Sequence, residues 1–425
     1  MTTTKENQKS NSTMGKKLNI IICGGGLGGL ACAIGLKRKG HTVTILEGSH
    51  TLSEVGAGIQ MPPNCVRILE GYGIADKFKD AITIPKNIVL RRYSNGKPLS
   101  TTPLDPLMSD SYGFPYWLIH RADYQRILWE TAVELGIKYQ IDSRVDYVDD
   151  DTNTVYLVTG EAYHADVIVG ADGIRSRVRD TAVITEEVIL PIASPQCAYR
   201  ATVPREVMLS DPKIAHLMTD VNANNWIGYR RHIMAYPMKN GEMYNLVMAH
   251  PGQAPIGTWN MPGNVDELKE HYKSFDPVIR QVLTHVTHCL EWVLADLPPL
   301  PRWVSPKGRV VLIGDAAHAM LPFLSQGAAQ AVEDGCTLAE ELDSVNSLDD
   351  LPEALRKFER KRKRRAEIVQ LGGRKNQHIW HLPDGEEQEE RDRLMKEKDS
   401  ENPDQWSDVK FQRWLFGWNA FDSTF

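Results

Sequence analysis

The sequence predicts an α/β fold: a doubly wound, parallel nucleotide-binding sheet of Rossmann type, interrupted by an inserted β-sheet domain and closed by a C-terminal helix. Three observations carry this reading. Residues 18–50 run as strand, glycine-rich turn, helix and strand. Buried strands of the same kind return at "DVIVGA" and "RVVLIG". Between them lie an Asn95-Gly96 hairpin signal and a strand-rich stretch from about 190 to 300. At 425 residues the chain exceeds the roughly 250–300 at which a single core stops growing, so two domains are expected.

The polar segment 1–17 lacks an apolar core and reads as a disordered tail rather than a secretory leader. "LNIIIC" is a buried strand, "GGGLGG" a turn, "LACAIGLKRKG" a small-residue helix ending at Gly40, and "TVTILE" the next strand. "PPNCVRILEGYGI" follows as a helix, and "NIVLRRYSNGKPLSTTPL" as the hairpin that opens the insertion. The amphipathic "RADYQRILWETAVELG" and a set of hairpins lead back to "DVIVGA" and a basic helix. "AYRATV", "WIGYRRHIMAYPM" and "YNLVMAH" are strands of the second domain, with a helical segment near 265–295. The basic run 356–370, interleaved with Glu359 and Glu367, reads as a solvated helix face, and "WLFGWNAF" as a helix docking by its aromatics. The nucleotide-binding domain is thus expected at 18–84, 115–190 and 301–375, the inserted sheet at 85–114 and 191–300, and a helical extension at 376–425.

Composition narrows the classes. With 42% hydrophobic and 24% charged residues and a net charge of −6, nothing supports a nucleic-acid or membrane-surface role. No apolar run reaches the ~18–20 residues of a membrane span. Six cysteines without a C-x-x-C pair read as reduced thiols in a cytoplasmic setting. "HVTHC" (His285, His288, Cys289) has no matching ligand pair, so it reads as a helix with incidental histidines and no metal is expected.

Three separated motifs suggest one large ligand. Gly24-x-Gly26-x-x-Gly29 lies between strand and helix, with Glu47 at the end of the next strand. Such glycines let backbone N–H groups approach a pyrophosphate while the carboxylate accepts ribose hydroxyls. Asp172-Gly173 ends a buried strand, where Asp172 serves either a ligand or as a helix cap. In "GDAAHAMLPFLSQGAAQ", Asp315 can bond a hydroxylated chain, and the helix start at Gly327-Ala328-Ala329 can aim free N–H groups at a developing anion.

In this order and spacing the motifs resemble the class A flavin-dependent aromatic hydroxylases, in particular the salicylate hydroxylase-like and 6-hydroxynicotinate 3-monooxygenase-like branch, over roughly residues 18–375. The resemblance implies the para-hydroxybenzoate hydroxylase-like fold and FAD as cofactor, with NADH or NADPH as cosubstrate. The glycine loop and Glu47 would hold the adenosine half, Ala57, Gly58 and Arg121 would contact the cofactor, and Asp172-Gly173 would serve FAD and NAD(P)H alike. Asp315 would bond the ribityl chain, and Gly327, Ala328 and Ala329 would bracket the flavin's pyrimidine edge. Pro322 resembles the proline whose carbonyl lies near the flavin C4a-hydroperoxide. One departure is Ser325, where many relatives have glycine; if that position needs a positive φ, the loop and its backbone hydrogen bond differ.

An electrophilic oxygen donor needs an electron-rich ring, so a base near a phenol is the group to seek. His232 and Tyr236 lie four apart on one strand and face the same side. They are similar to the family's His-x-x-x-Tyr pair, with Tyr236 as base and His232 as its relay or hydroxyl partner. Arg200 resembles an arginine that holds a carboxylate or phenolate, or it forms a plain surface ion pair. The expected activity is NAD(P)H- and O2-dependent hydroxylation, with or without decarboxylation, of a small phenolic or hydroxybenzoate-type substrate by a monomer or homodimer. The alternatives are a monooxygenase or epoxidase of a larger secondary metabolite and a non-catalytic flavin-binding protein. Halogenation is disfavoured because no W-x-W-x-I-P stretch occurs.

Overall fold

The computed structural model describes residues 15–51, 57–253, 261–397 and 401–422. The tail expected at 1–17 therefore lies outside the described residues as far as residue 14. The Lys16 N–H donates to the Val345 carbonyl at 2.7 Å.

The nucleotide-binding sheet has five parallel strands in the spatial order Val310–Leu312, Val167–Gly170, Asn19–Cys23, Thr42–Leu46 and Lys138–Gln140. Asn19–Cys23 and Val167–Gly170 are neighbours with the chain running outward from them in both directions. The crevice beyond their C-terminal ends is the switch point at which open α/β sheets bind ligands. Strand residues such as Ile20, Ile22, Val167 and Val169 are fully buried, as a sheet covered on both faces requires.

Two helices start at that edge, Leu27–Arg38 and Gly327–Asp343, and they pack against each other through small residues. A Cβ on Gly28 would lie 2.9 Å from the Ala331 Cβ, and one on Gly335 would lie 2.7 Å from the Cys32 backbone. Small side chains at four-residue spacing let the helices approach closely. Their N-termini consequently open side by side.

The second sheet has eight strands in the order Met261–Pro262, Leu290–Asp296, Ile192–Pro204, Met243–Pro251, Arg231–Met238, Asn222–Gly228, Asn87–Arg92 and Pro98–Pro103. All of its pairings are antiparallel except Asn222–Gly228 with Asn87–Arg92. The Asn95-Gly96 hairpin joins its last two strands. Gly58–Met61, Trp117–His120 and Ile82–Thr83 form a small sheet between the two large ones.

Several local expectations change. The helical stretch near 265–295 is two helices, Val265–His271 and Pro277–Thr284, followed by the strand Leu290–Asp296; "HVTHC" is the link into that strand. There His285 Nε2 pairs with Asp211 at 3.1 Å, and no group of three His, Cys, Asp or Glu among the described residues could hold a metal. The basic helix after Asp172 is only a π-helical turn, Arg179–Val183. One continuous helix, Leu351–Trp380, runs across residue 375, where the reading placed a division. No helix among the described residues is long and apolar enough to cross a membrane.

The basic run is the largest correction. Arg362 and Arg365 lie on the buried side of the long helix. Arg362 bonds Glu333 through Nη1 at 2.6 Å and Asp334 through Nε at 2.8 Å; Arg365 bonds Glu333 through Nε and Nη2, both at 2.8 Å. Asp334 also accepts from the Gly314 N–H at 2.8 Å and bonds His318 at 2.6 Å. Arg365 donates to the Trp414 and Leu415 carbonyls, and the Trp414 and Trp418 rings cover the guanidinium groups, so the helix Val409–Gly417 does dock by its aromatics. Hydrophobic spacing was blind to this because the residues that pair with the arginines are themselves charged.

Burial by itself raises the Glu333 and Asp334 carboxyls, but the groups facing them outweigh it: Arg365 and Arg362 for Glu333, His318 and Arg362 for Asp334. Both end below the ordinary carboxylate range. The unfolded chain then binds protons at a higher pH than the folded one. Their contribution to stability is complete above the ordinary carboxylate pKa and is lost as pH falls through the depressed folded values. Arg362→Leu leaves buried charge uncompensated and is expected to cost about 3–5 kcal/mol in denaturant unfolding, with reduced acid dependence. Unfolding at the parent midpoint would contradict this.

Candidate active site

A cavity of about 610 Å³ lies between the switch point of the parallel sheet and one face of the eight-stranded sheet. Of the residues singled out in the sequence, Gly26, Gly29, Gly58, Arg121, Gly173, Arg200, His232, Tyr236, Asp315, Pro322, Gly327 and Ala328 line it. Gly24, Glu47, Ala57, Asp172 and Ala329 are not among its lining residues.

Gly24 sits at φ +112°, and a Cβ there would collide with the Ala171 carbonyl. Only glycine serves at such a turn. A Cβ at Gly26 would meet open space. Behind the loop, the Glu47 carboxylate accepts from the Gly25 N–H at 2.7 Å and the Ser49 N–H at 2.8 Å, fixing it at the end of its strand. The helix Leu27–Arg38 has no side-chain cap and no acidic residue in its first turn, so its free N–H groups stay available to an anion.

Asp172 acts as a cap. It accepts from Ser176 Oγ and from the N–H groups of Arg177 at 2.7 Å and Val178 at 3.2 Å, leaving Gly173 to face the cavity. The Ala57 carbonyl accepts from the Arg121 N–H at 3.1 Å, which seats the start of the helix Arg121–Glu134. Asp315 opens into the cavity while ringed by protein. Burial raises its carboxyl, and His318 and Arg121 draw it back. Burial lowers the Arg121 guanidinium, offset by Asp315.

The helix Gly327–Asp343 also starts without a side-chain cap or an acidic first turn, with Gly327 and Ala328 at the cavity and Ala329 buried beneath them. Ser325 does adopt the left-handed conformation, at φ +52° and ψ +34°. The backbone hydrogen bond is made despite the side chain: its N–H donates to the Pro322 carbonyl at 3.0 Å. Two uncapped helix N-termini, a carboxylate open to hydroxyl groups and glycines facing free space together fit an elongated dinucleotide such as FAD.

Across the cavity, Arg200, Val247 and Met234 stand in register on three adjacent strands. The Arg200 guanidinium lies over the Trp292 ring at 4.4 Å, and its buried Nε has no hydrogen-bond partner among the described residues. Burial is the main reason its pKa is pushed down to about 10, so it stays cationic at neutral pH. Its place in the cavity wall, with an unpartnered Nε and no carboxylate paired to it among the described residues, speaks against the plain surface ion pair. His232, Met234 and Tyr236 alternate along one strand and face the same cavity. Burial raises the Tyr236 phenol above its ordinary value, partly offset by Arg200, so at neutral pH Tyr236 keeps its proton. Among the described residues no hydrogen bond joins His232 directly to Tyr236. His232 Nδ1 instead lies 2.9 Å from His381 Nε2.

Residues the sequence did not single out complete the site. Asn245 Oδ1 accepts from the Gly58 N–H at 2.8 Å, and a Cβ at Gly58 would come within 2.6 Å of the Tyr236 ring. Gln60 accepts from the Tyr116 hydroxyl and lines the cavity with Trp292, Met320 and Trp380. Strand alternation from Val247 could have found Asn245. No pattern joins His381, at the end of the long helix, to a strand 149 residues earlier.

The FAD binding domain family matches residues 17–370. The chain is 34% identical to the FAD-dependent monooxygenase OpS4 of Beauveria bassiana, with 95% of each chain covered. It is 31% identical to the 3-hydroxybenzoate 6-hydroxylase of Polaromonas naphthalenivorans, over 95% of this chain and 96% of that one. Its structure superposes on a salicylate hydroxylase substrate complex with a TM-score of 0.78 at 25% identity, over 95% and 96% of the two chains.

Gly24→Ala is expected to yield protein without bound flavin, read from its visible spectrum. Ser325→Gly is expected to retain flavin and raise stability by up to ~1 kcal/mol, because glycine removes the left-handed strain at the cost of a more flexible unfolded chain. An unchanged or lower unfolding midpoint would show that Ser325 is not strained.

Proposed function

Because this chain belongs to the FAD-binding class A flavoprotein monooxygenases, the salicylate and 3-hydroxybenzoate hydroxylase-like family, we propose that its substrate is a small phenolic or hydroxybenzoate-type aromatic. The chain is an FAD-dependent monooxygenase. The observation that carries the substrate reading is the row Arg200–Val247–Met234 with Trp292, facing the N-terminus of Gly327–Asp343 across one cavity. Reduction by NAD(P)H and activation of O2, with one oxygen entering the substrate, is the chemistry FAD supplies when bound.

The chain's own groups set the geometry of that reaction. Free N–H groups at Gly327 and Ala328, with the helix dipole, stabilise negative charge at their end of the cavity by ~0.3–2 kcal/mol. Asp315 takes hydroxyl groups of the cofactor, and Arg121 balances its charge. Met234, Val247 and Trp292 flank an aromatic ring, and Arg200 fixes it by a carboxylate or phenolate oxygen. Pro322 starts the turn that delivers the helix N-terminus and contributes to the cavity wall. With a carboxylated carbon as the target, CO2 would leave. The apolar lining supports a second reading, a larger and more hydrophobic metabolite.

A panel of phenolic acids, assayed by aerobic NAD(P)H oxidation with product mass analysis, tests the reading. Stimulated consumption with a product heavier by one oxygen is expected. Stimulation only by larger hydrophobic substrates would favour the second reading, and a flavin that NAD(P)H never reduces would leave neither. Arg200→Met is expected to raise KM for carboxylated substrates at least tenfold with kcat less affected, the loss of a charge-assisted bond of ~1.5–3 kcal/mol.

A further inference from the structure

We propose that His232 stands in the cavity as a fixed hydrogen-bond donor through Nε2–H, that Gln196 and His381 impose this tautomer, and that the site therefore takes its substrate oxygen as an oxyanion. The oxyanion half rests on the reading of the cavity as the place of an aromatic substrate. The tautomer does not.

The chain of hydrogen bonds starts at a backbone carbonyl, which can only accept. Gln196 Nε2 lies 2.9 Å from the Arg230 carbonyl oxygen, so the amide nitrogen belongs there. The other end agrees, since Gln196 Oε1 accepts from Gln377 Nε2 at 2.7 Å. The same Gln196 nitrogen lies 3.0 Å from His381 Nδ1. An amide nitrogen has only protons to offer, so His381 Nδ1 accepts. A neutral imidazole carries one proton, which in His381 is then on Nε2, 2.9 Å from His232 Nδ1. His232 Nδ1 accepts in turn, and the proton of His232 sits on Nε2, the ring nitrogen left for the cavity that His232 lines.

Both rings are neutral at ordinary pH. Burial pushes His232 down to about 3; His381 is lowered by burial, by His232 and by Arg391. The His232 ring is held by Phe323, Trp380 and His381 with centroids 5.1–5.3 Å away, so it does not turn to exchange its nitrogens.

The polar side-chain groups this sheet brings to the cavity are thus the Arg200 guanidinium, the Tyr236 hydroxyl, the unpartnered Trp292 Nε1–H and the His232 Nε2–H. Three of them can only donate, and one is a cation. Such a set favours an ionised oxygen over a hydroxyl. His232 is accordingly not the proton acceptor for a phenol, and a phenol gives up its proton to solvent when it binds. Gln196 and His381 are positioning residues that act through His232.

The test uses FAD-loaded enzyme labelled with 15N-histidine, with the His232 signals assigned by their loss in His232→Asn. Long-range 1H–15N spectra at pH 7 should show a protonated Nε2 and an unprotonated Nδ1 in both His232 and His381. Protonated Nδ1 or an imidazolium at His232 would overturn the proposal without any variant. The probe for the oxyanion is 4-nitrophenol, whose ionisation is visible in its spectrum. Bound probe should show a phenolate-to-phenol ratio at least tenfold above that of free probe, and Gln196→Met and His381→Phe should reduce this gain with FAD content unchanged. Binding as the neutral phenol would overturn the oxyanion half. Absence of 4-nitrophenol binding beside an intact donor tautomer would instead sink the aromatic reading of the cavity.

Discussion

Glu333 and Asp334 are adjacent carboxylates in the middle of a helix, shut off from water, and their neutralisation by Arg362 and Arg365 is the constraint on which the rest of the structure depends. Burying such a group of charges is no net gain over a well-packed apolar core. What it supplies is geometry, because each carboxylate oxygen and each guanidinium edge accepts a partner in only a few directions. Asp334 ties the end of the strand Val310–Leu312, through Gly314, to the helix that follows the flavin loop. Glu333 bonds Asn64, whose amide reaches Gln326, the residue before that helix. Asp315 and the helix N-terminus are therefore positioned from behind by groups that never touch the cavity.

The contact between Leu27–Arg38 and Gly327–Asp343 adds a second constraint. Gly28, Gly35 and Gly335 remove side chains where the helices meet, and the closeness this permits places two positive helix ends at one cavity. A long dinucleotide with a pyrophosphate at its middle and a reducible ring at one end is served by two such anion sites. The helix pair builds both without using a charged side chain, which would have to be neutralised in the free protein.

The opposite wall of the cavity, the proposed substrate side, rests on different physics. Its polar groups come from neighbouring strands, so their separation is set by the sheet spacing and not by loops. Arg200 is held by the face of Trp292, and His232 by an imidazole chain that ends at a backbone carbonyl. A rigid floor of donors on that wall suits the proposed reaction, which needs an electron-rich ring held still.

The glycine spacing, Glu47, and the Gly314-Asp315 and Gln326-Gly327 pairs were legible in the chain because each obeys a local rule: a turn too tight for a side chain, a strand end, a helix start. The same local rules located the inserted sheet, through the hairpin at Asn95-Gly96, and the shared facing of His232 and Tyr236. They misread Arg362 and Arg365 as solvated, since a basic residue on a helix is exposed unless a distant segment brings it a carboxylate. They could not tell whether Asp172 would serve a ligand or cap a turn, or that Ser325 would hold a positive φ. They did not anticipate the bond between His232 and His381, because His381 reaches it from the far end of another helix. Local sequence thus determined which elements form and which of them meet at the cavity. Pairing between distant charged and polar groups, decided only by the tertiary structure, set how those elements are held and which protons they carry.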